Sequence, residues 1–334
     1  MVTMAEVAER AGVTKQSVSN VLAGKSVRPE TAAKVNAAIE ELGYKPNLLA
    51  RSLRTGTTMT FGLFVPSVAD PFYSSVVEEV ENVLVRHGYN LLLATTRHDP
   101  EYARAHLENL TARAVDALLV AGDAGVVQQL PLLAAAQFPV GLFAWEVDPP
   151  QSLPVVSIDY EAAGFLAGRH LRDLGHRKVA VVASLPFHAP RVAGLRRAFA
   201  ADGLDIDDSM VFTPASDDAS AGFAAASAAL AADPGLTAIF ATRDVLALGA
   251  LDAVARTGRR VPEDVSVVGF DDLALVGHSE PALTTVAFPT REMAQQAVEL
   301  LLRAVDAGKP PTNAISLLRP SLTVRASSGP PPSA

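Results

Sequence analysis

Residues 2–25 read VTMAEVAERAGVTKQSVSNVLAGK, and this stretch decides the architecture of the N-terminal part of the chain. Thr3 and Glu6 have the spacing of a capping box, and apolar residues then recur at helical intervals up to Gly12. Glycine tolerates the positive φ of a tight turn. Thr14 can cap a second helix. The pattern therefore predicts two short helices joined by a glycine turn.

A third helix is predicted to begin after Arg28. Pro29 is tolerated in the first turn of a helix, and Glu30 lies near the positive end of the helix dipole. Apolar residues at helical spacing follow, and Gly43 ends the helix. Three helices in this order indicate a helix-turn-helix unit, whose second helix enters the major groove of DNA.

The outward-facing residues of the second helix are the candidate base-reading residues. They are Thr14, Lys15, Gln16, Ser19 and Asn20. Glutamine and asparagine can pair bidentately with adenine, and lysine donates to guanine, so the residue types fit this task. The alternative that the spacing leaves open is an ordinary solvated helical face.

A short leucine-rich segment follows the three helices. Residues 47–54 read NLLARSLR, and Thr55-Gly56 ends the segment. A helix this short is unstable by itself in water because few hydrogen bonds offset the cost of nucleation. Its three leucines have no obvious core within the segment. It is either a linker that packs a leucine onto the next domain, or a helix that forms only when bound.

Charge is distributed unevenly along the chain. The 334 residues carry a formal net charge of −8, which argues against a non-specific nucleic-acid coat protein. Residues 1–58, however, hold eight basic and five acidic side chains, a net charge of +3. The rest of the chain has 20 basic and 31 acidic side chains, a net charge of −11. A small basic head on a large acidic body indicates two functions in one chain.

Composition excludes several other classes of protein. The chain has no cysteine, which rules out a disulfide scaffold, a cysteine metal site and a thiol nucleophile. No signal peptide is recognisable, and no apolar run approaches the roughly 20 residues of a membrane span, so we expect a soluble cytoplasmic protein. No cofactor or metal is expected either. His98 and His106 lack companion ligands, and nucleotide-binding glycine motifs are missing.

From about residue 59, strand-like apolar runs alternate with amphipathic helices. The runs include TFGLFVP (60–66), ALLVAG (117–122), KVAVVAS (178–184) and AIFAT (238–242). Continuous apolar strands between helices are typical of parallel sheets that are buried on both faces. Two such series predict two doubly wound α/β lobes, with a ligand in the crevice at the carboxyl ends of the strands.

Two blocks in the head and six stretches in the body carry a family resemblance. They are residues 2–25, RPETAAKVNAAIEELGYKPNLLARSLRTG (28–56), PSVADPFY (66–73), LAGRHLRDLGHRKVAVV (166–182), RVAGLRRAF (191–199), TAIFATRD (237–244), VPEDVSVVGFDD (261–272) and PALTTVAFP (281–289). Together they resemble the lactose repressor (LacI/GalR) family of bacterial transcription factors, up to about residue 326. The resemblance implies a body similar to periplasmic sugar-binding proteins.

The resemblance also implies the domain boundaries, with passages of the chain between the lobes near residues 159, 288 and 317. The helix-turn-helix head spans 1–46 and the hinge 47–58. The first lobe comprises 59–159 and 288–317, and the second lobe comprises 160–287 and 318–326. The remaining segment, 327–334, reads SSGPPPSA and is expected to be a disordered tail.

In this family the hinge becomes helical only on the operator, where the hinge helices of two subunits lie in the minor groove. Leu53 matches the leucine that wedges into the central base step, which kinks the duplex. Asn47 can cap this helix, and Ala50 is small enough for a close approach to DNA. Arg51 and Arg54 can meet phosphates.

Matching the body to the family places eight candidate effector-binding residues at the carboxyl ends of strands. They are Asp70, Phe72, Tyr73, Trp145, Arg191, Asp218, Arg243 and Asp271. Trp145 could stack on a sugar or an aromatic ring, or it could only cap the lobe interface. Arg191 can donate a fork of hydrogen bonds and Asp271 can accept from hydroxyls, a mixture that suits a carbohydrate. Salt bridges between the lobes are the alternative role for both.

Three departures from the family pattern bear on the ligand. Arg243-Asp244 stands where relatives commonly carry Asn-Asp, and Asp218 replaces a frequent aromatic residue. Ala144 precedes Trp145 where an acid is common. An added arginine and a lost acid make the pocket more positive unless Asp218 pairs with Arg243. We therefore hypothesise a sugar acid or a sugar phosphate as the effector, with a neutral sugar as the alternative.

The chain is thus expected to be a homodimeric repressor that binds a pseudopalindromic operator DNA and is released by a small carbohydrate-like effector. A corepressor-dependent regulator with a non-sugar effector is the alternative. A sugar-transport protein would not need the DNA-reading head. A sugar-modifying enzyme could use Asp271 and Asp272 as acid and base, but no nucleophile or metal set accompanies them. We therefore do not expect an enzyme.

Overall fold

The computed structural model describes residues 2–22, 25–44, 56–112, 115–122, 124–147, 152–309, 311 and 314–333. They form two compact units, Met1–Met59 and Thr60–Ala334. The first unit contains the head, and the second contains the two-lobed body. The predicted hinge contacts with DNA lie outside the described residues; they are Asn47, Ala50, Arg51, Leu53 and Arg54.

Three helices form the head: α1 (Met4–Ala11), α2 (Lys15–Leu22) and α3 (Pro29–Leu42). The capping box predicted at the start of α1 is present, because the Glu6 N–H donates to Thr3 Oγ1 (3.4 Å) and the Thr3 N–H donates to Glu6 Oε2 (2.7 Å). Each helix contributes one fully buried valine to a shared core: Val7, Val18 and Val35. The helix-turn-helix prediction is confirmed.

Six parallel strands form the sheet of the first lobe: β1 (Thr60–Val65), β2 (Asn90–Thr95), β3 (Ala117–Ala121), β4 (Val140–Phe143), β5 (Val155–Ile158) and β11 (Ile315–Leu318). Their order across the sheet is β11-β5-β4-β3-β1-β2. Every residue of β3 and β4 is buried, as expected for central strands of a sheet that is covered on both faces.

Six strands also form the sheet of the second lobe: β6 (Val179–Val182), β7 (Val211–Phe212), β8 (Ala238–Ala241), β9 (Ser266–Asp271), β10 (Thr284–Ala287) and β12 (Ser321–Thr323). Their order is β12-β10-β9-β8-β6-β7, and β12 runs antiparallel to β10 while the other neighbours are parallel.

The helices divide between the lobes by packing. The first lobe holds α4 (Pro71–Arg86), α5 (Pro100–Ala112), α6 (Ala124–Val127), α7 (Leu130–Ala134) and α12 (Thr290–Ala307). The second lobe holds α8 (Tyr160–Asp173), α9 (Ala189–Ala200), α10 (Ala219–Ala232) and α11 (Asp244–Arg256), with 3-10 turns at Asp208–Met210 and Ala274–His278. This arrangement confirms the predicted fold class of two doubly wound α/β lobes.

The chain passes between the two sheets three times. The passages lie between Ile158 and Tyr160, between β10 and α12, and between β11 and β12. Positions 159, 288 and 317, which the family resemblance implies, fall at or within a few residues of these passages. Segments that connect two lobes can act as a hinge between them.

Residues 327–329 pack against the second lobe, so the prediction of disorder is wrong for this part of the segment. Ser327 is fully buried, and its hydroxyl donates to Val267 O (2.6 Å) and accepts from the Thr284 N–H (2.8 Å). Gly329 O accepts from Ser266 Oγ at 3.0 Å. The small polar residues that suggested disorder instead bond to polar groups of β9 and β10.

Candidate functional site

A cavity of about 140 Å³ lies in the body where the carboxyl ends of strands from both lobes meet. Six of the eight candidate effector residues line it: Phe72, Tyr73, Trp145, Arg191, Arg243 and Asp271. Six lining residues with polar side chains were missed by sequence reasoning: His98, Glu146, Tyr160, Ser184, His188 and Asp217. The parallel topology explains why residues far apart in sequence converge here.

Arg191 is positioned by the close packing of two helices. α8 and α9 approach at Gly164 and Gly194, where a Cβ atom would overlap the backbone of the neighbouring helix. The guanidinium binds both carboxylate oxygens of Glu146, with Nε–Oε1 and Nη2–Oε2 distances of 2.8 and 2.6 Å. Nη1 donates to Thr242 O at 2.5 Å. Arg191 thus links the second lobe to the first through a bidentate ion pair.

Arg243, just before α11, makes a second link between the lobes. Its Nη2 lies 2.7 Å from Asp70 Oδ2, and the same Asp70 side chain caps α4 by accepting from the Phe72 N–H at 3.0 Å. Arg243 Nε lies 3.5 Å from Asp271 Oδ2, and Nη1 lies 3.6 Å from Asp217 Oδ2. Burial opposes the charge of Arg243, but Asp271 and Asp70 outweigh burial and raise its pKa. The side chain therefore stays charged.

The predicted position of Asp218 at the cavity is wrong, because the residue before it, Asp217, lies there instead. Asp218 does not line the cavity; it caps α10, where its Oδ1 accepts from the Ala221 N–H at 2.9 Å. The preceding Asp217 lines the cavity, pairs with Arg243 and accepts a hydrogen bond from Ser184. Because Asp218 caps α10, Asp217 is the aspartate that is available to line the cavity.

Glu146 supplies the acid that is missing at Ala144. Glu146 directly follows Trp145 in the sequence, and its carboxylate forms the bidentate pair with Arg191. Burial raises the pKa of Glu146, and the charge of Arg191 opposes that rise. The sequence signal for this role of Glu146 was its position directly after Trp145, a candidate effector residue.

The inference of a positive pocket is therefore wrong. Among the described residues at this site, two guanidinium groups face four carboxyl groups; the four are Asp70, Glu146, Asp217 and Asp271. Burial raises the pKa of Asp271 to about 6, which still leaves most of it ionised at neutral pH. The charge balance disfavours a second anion in the cavity.

Two buried polar atoms at the cavity make no regular hydrogen bond among the described residues: Trp145 Nε1, and Asp271 Oδ2, which has the ion-pair contact with Arg243 Nε at 3.5 Å. One is a donor and the other is an acceptor. The Trp145 ring lies against Gly122, where a Cβ atom would be 2.5 Å from the ring. Unsatisfied buried groups are costly in a native protein, so this pair marks a place that a ligand can complete.

His188 adds an acceptor to the cavity wall. The Thr242 hydroxyl donates to Val182 O (3.2 Å), so its oxygen accepts from His188 Nδ1–H at 2.7 Å. Burial, together with the charges of Arg191 and Arg243, lowers the pKa of His188 well below its ordinary value. The imidazole is therefore neutral, and its Nε2 carries a lone pair.

The acid pair considered for an enzyme is not formed at the cavity. Asp271 lines it, but Asp272 does not; Asp272 Oδ1 lies 2.6 Å from Arg325 Nη2. Asp244 is buried beneath this region and accepts from the Thr285 hydroxyl at 2.6 Å. Burial raises the pKa of Asp244 to about 8. Neither neighbouring acid reaches the space where a ligand would sit.

The head presents its candidate base-reading residues on one helix. Thr14 caps α2 by accepting from the Ser17 N–H at 3.1 Å. Lys15 and Gln16 are exposed, and Gln16 Nε2 donates to Asn20 Oδ1 at 2.9 Å. Ser19, the fifth candidate, is half-buried. The bond orients both amides on the outer surface of α2, where they can meet base edges.

The described part of the chain holds no group of three or more His, Cys, Asp or Glu side chains that could bind a metal ion. His98 lines the cavity, whereas the His106 ring packs 4.3 Å from the Tyr102 ring. Within the same described ranges, none of the helices combines the length and apolar character needed to cross a bilayer.

Comparison with protein families matches both units. Residues 3–47 match the family described as bacterial regulatory proteins, lacI family, and residues 169–328 match a periplasmic binding protein-like domain. A relative from Haemophilus influenzae (strain PittEE), HTH-type transcriptional repressor PurR, is 33% identical over 310 residues, which cover 91% of each chain. The repressor of the same name from Aliivibrio fischeri (strain MJ11) is 34% identical and covers 91% of this chain and 92% of its own.

Solved structures of transcriptional regulators are also similar to this chain. A complex of the transcriptional regulator CelR with cellobiose has a TM-score of 0.74 at 31% identity, and the match covers 98% of this chain and 100% of that one. The lac repressor dimer bound to operator and the anti-inducer ONPF has a TM-score of 0.85 at 27% identity, with coverages of 98% and 99%. The likeness extends over the head and the body together.

Proposed function

This chain belongs to the LacI/GalR family of bacterial transcriptional regulators and is a ligand-responsive DNA-binding repressor, and from that premise we propose how it recognises DNA and effector. The protein acts in the cytoplasm as a homodimer whose two heads read the half-sites of a pseudopalindromic operator. The observation that carries the DNA-reading role is the outward polar face of α2, with Gln16 and Asn20 aligned by their mutual hydrogen bond.

The hinge contributes the second part of operator recognition in this proposal. Leu53 wedges into the central base step, Asn47 and Ala50 allow the hinge to form and approach the minor groove, and the arginines bind phosphates. Selection of bound sequences from random DNA tests the dimer and the operator together. A pseudopalindrome with two half-sites is expected, and recovery of single half-sites would contradict a dimer.

The effector is a small neutral molecule rich in hydroxyl groups, such as a monosaccharide. The observation that carries this proposal is the buried donor Trp145 Nε1, which has no partner among the described residues, together with Asp271 Oδ2, which lies 3.5 Å from Arg243 Nε. One hydroxyl group can accept from the first while another donates to the second. His188 Nε2 offers a further acceptor. The excess of carboxyl groups disfavours sugar acids and sugar phosphates, and the CelR relative was solved with cellobiose, a neutral sugar.

Effector binding changes the relative orientation of the lobes and releases the operator in this proposal. Binding at the two sites is linked, so the operator must weaken effector binding by the same factor by which the effector weakens operator binding. If the effector instead strengthened operator binding, the protein would be a corepressor-dependent regulator.

Calorimetric titration against a panel of compounds tests the effector class. The panel contains neutral monosaccharides and disaccharides, sugar acids, sugar phosphates and nucleobases, each measured with and without a selected operator. Neutral sugars are expected to bind and to lower operator affinity. Binding restricted to sugar acids, sugar phosphates or nucleobases would refute the neutral-sugar proposal.

A further inference from the structure

Two buried ion pairs join the two lobes of the body across the crevice. In both, the guanidinium belongs to the second lobe and the carboxylate to the first: Arg191 pairs with Glu146, and Arg243 pairs with Asp70. Side-chain exposure is 7% and 10% in the first pair and 7% and 12% in the second. The crevice is therefore closed by the protein's own charges.

Carboxylates from both lobes contact the Arg243 guanidinium. Asp271 and Asp217 hold it from the second lobe at 3.5 and 3.6 Å, and Asp70 receives Nη2 from across the crevice with contacts of 2.7 and 2.9 Å. A side chain as short as asparagine at this position could not span the same gap. Arg243 also lines the cavity, so it takes up space that a ligand would otherwise fill.

We propose that Arg243 is an internal clamp that holds the lobes together through Asp70 and thereby restricts the effector to small molecules. The closure itself is independent of the DNA-binding role; only the restriction of the effector rests on the proposed function. The remaining cavity of about 140 Å³ is well below the roughly 300–1,000 Å³ of pockets for drug-sized ligands.

The physics of buried charges explains how the clamp works. When the lobes are closed, each charge of the Asp70–Arg243 pair has lost water and depends on its partner. Removal of Arg243 leaves Asp70 buried without its partner across the crevice, and water reaches Asp70 when the lobes open. Removal of the Asp70 charge leaves Arg243 with only the two aspartates of its own lobe, so the attraction across the crevice is lost. Loss of either partner must therefore move the equilibrium toward the open form.

Trp145 provides a native reporter of this opening. It is the only tryptophan of the chain, it lines the cavity, and the residue is 4% exposed. Opening exposes the indole to solvent, which shifts its emission to the red and makes it accessible to acrylamide. Neither DNA nor effector is needed for this measurement.

The test compares acrylamide quenching in the full-length protein and three variants. Asp70→Asn removes the charge on the first lobe and keeps an oxygen for the α4 cap, while Arg243→Gln removes the charge on the second lobe. Arg196→Gln is the control, because its partner Asp208 lies in the same lobe at 2.6 Å. Circular dichroism establishes that each variant is folded.

Both clamp variants are expected to raise the quenching constant of Trp145 by at least about twofold, since the open population rises from a minor fraction. Arg196→Gln is expected to match the wild type. The proposal is overturned if folded Asp70→Asn, the milder of the two changes, leaves quenching and emission unaltered, or if the control changes them equally. Because these outcomes involve no operator or sugar, failure of the clamp is distinguishable from failure of the proposed function.

Discussion

Replacing Arg191 with methionine tests whether the bidentate pair with Glu146 stabilises the body. Both side chains are nearly inaccessible, with exposures of 7% and 10%, and two hydrogen bonds of 2.8 and 2.6 Å join them. Removing one partner of a buried pair typically costs about 3–5 kcal/mol, because the remaining charge is left without compensation. We therefore expect Arg191→Met to lower the free energy of unfolding of the body by about that amount.

The pH dependence of this loss has a definite sign. Burial already raises the pKa of Glu146 above its ordinary value of 4.5, and removing Arg191 raises the pKa further. A group whose pKa is raised on folding contributes most to stability when it is protonated, and that contribution is lost as the pH rises through the folded-state pKa. The difference in the free energy of unfolding between Arg191→Met and wild type must therefore be small near pH 4.5 and grow toward neutral pH.

Urea denaturation followed by Trp145 fluorescence measures this difference at equal protein concentrations. The double variant Arg191→Met/Glu146→Leu is the matched comparison, because it removes both charges and is expected to recover most of the lost stability. Two results would refute the reasoning: a single variant as stable as the wild type at pH 7, or a deficit that is the same at pH 4.5 and pH 7.

Four further predictions concern the head, the hinge, the C-terminal segment and a buried acid. Asn20→Ala should cost about 1–3 kcal/mol on the selected operator and relax base preference at one position of each half-site; an equal loss on random DNA in a binding assay would make Asn20 a phosphate contact. Leu53→Ala should weaken binding to the selected operator while effector affinity in calorimetry stays the same, and unchanged operator affinity would remove the wedge. Ser327→Ala leaves the Thr284 N–H buried without its acceptor, so urea denaturation should reveal a loss of about 1–3 kcal/mol, whereas no loss would mean that the segment is dispensable. The pKa of Asp244 is raised from 3.8 to about 8, so wild-type stability should fall as pH rises between these values; in melting curves Asp244→Asn should show a smaller decrease of Tm from pH 5.5 to 8.5, and parallel curves would exclude Asp244 as the cause.

The sequence predicts the fold well because the fold depends on periodicity. Apolar runs such as those of β3 and β4 must be buried on both faces, and the capping box at Thr3 and Glu6 determines where α1 begins. Such signals are local, and they do not depend on what lies across the molecule.

The site is less predictable because its contacts join distant parts of the chain. Sequence reasoning places Arg191 and Arg243 at the crevice correctly. It places Asp218 there instead of Asp217, because the sequence alone does not show which of two neighbouring aspartates caps the helix. Glu146 is missed because a carboxylate that follows Trp145 acquires its partner only through packing against α9, 45 residues further on.

The C-terminal segment is misjudged for a related reason. Its glycine, serine and prolines lack the pattern of a helix or a strand, yet Ser327 bonds to backbone groups of two strands that no sequence pattern connects with it. Composition indicates only how a segment behaves by itself. The structure of this segment depends instead on hydrogen bonds with backbone groups of β9 and β10, which are distant in sequence.

The interleaved strands also determine the order in which the molecule can be completed during its synthesis. The core of the head is built from residues up to Tyr44, whereas β5 pairs with β11 (Ile315–Leu318) and β10 pairs with β12 (Ser321–Thr323). The chain therefore emerges from the ribosome with a foldable DNA-reading head long before either lobe has all its strands. A product that stopped short of these last strands would keep its DNA-reading element and lose the part of the molecule that controls it.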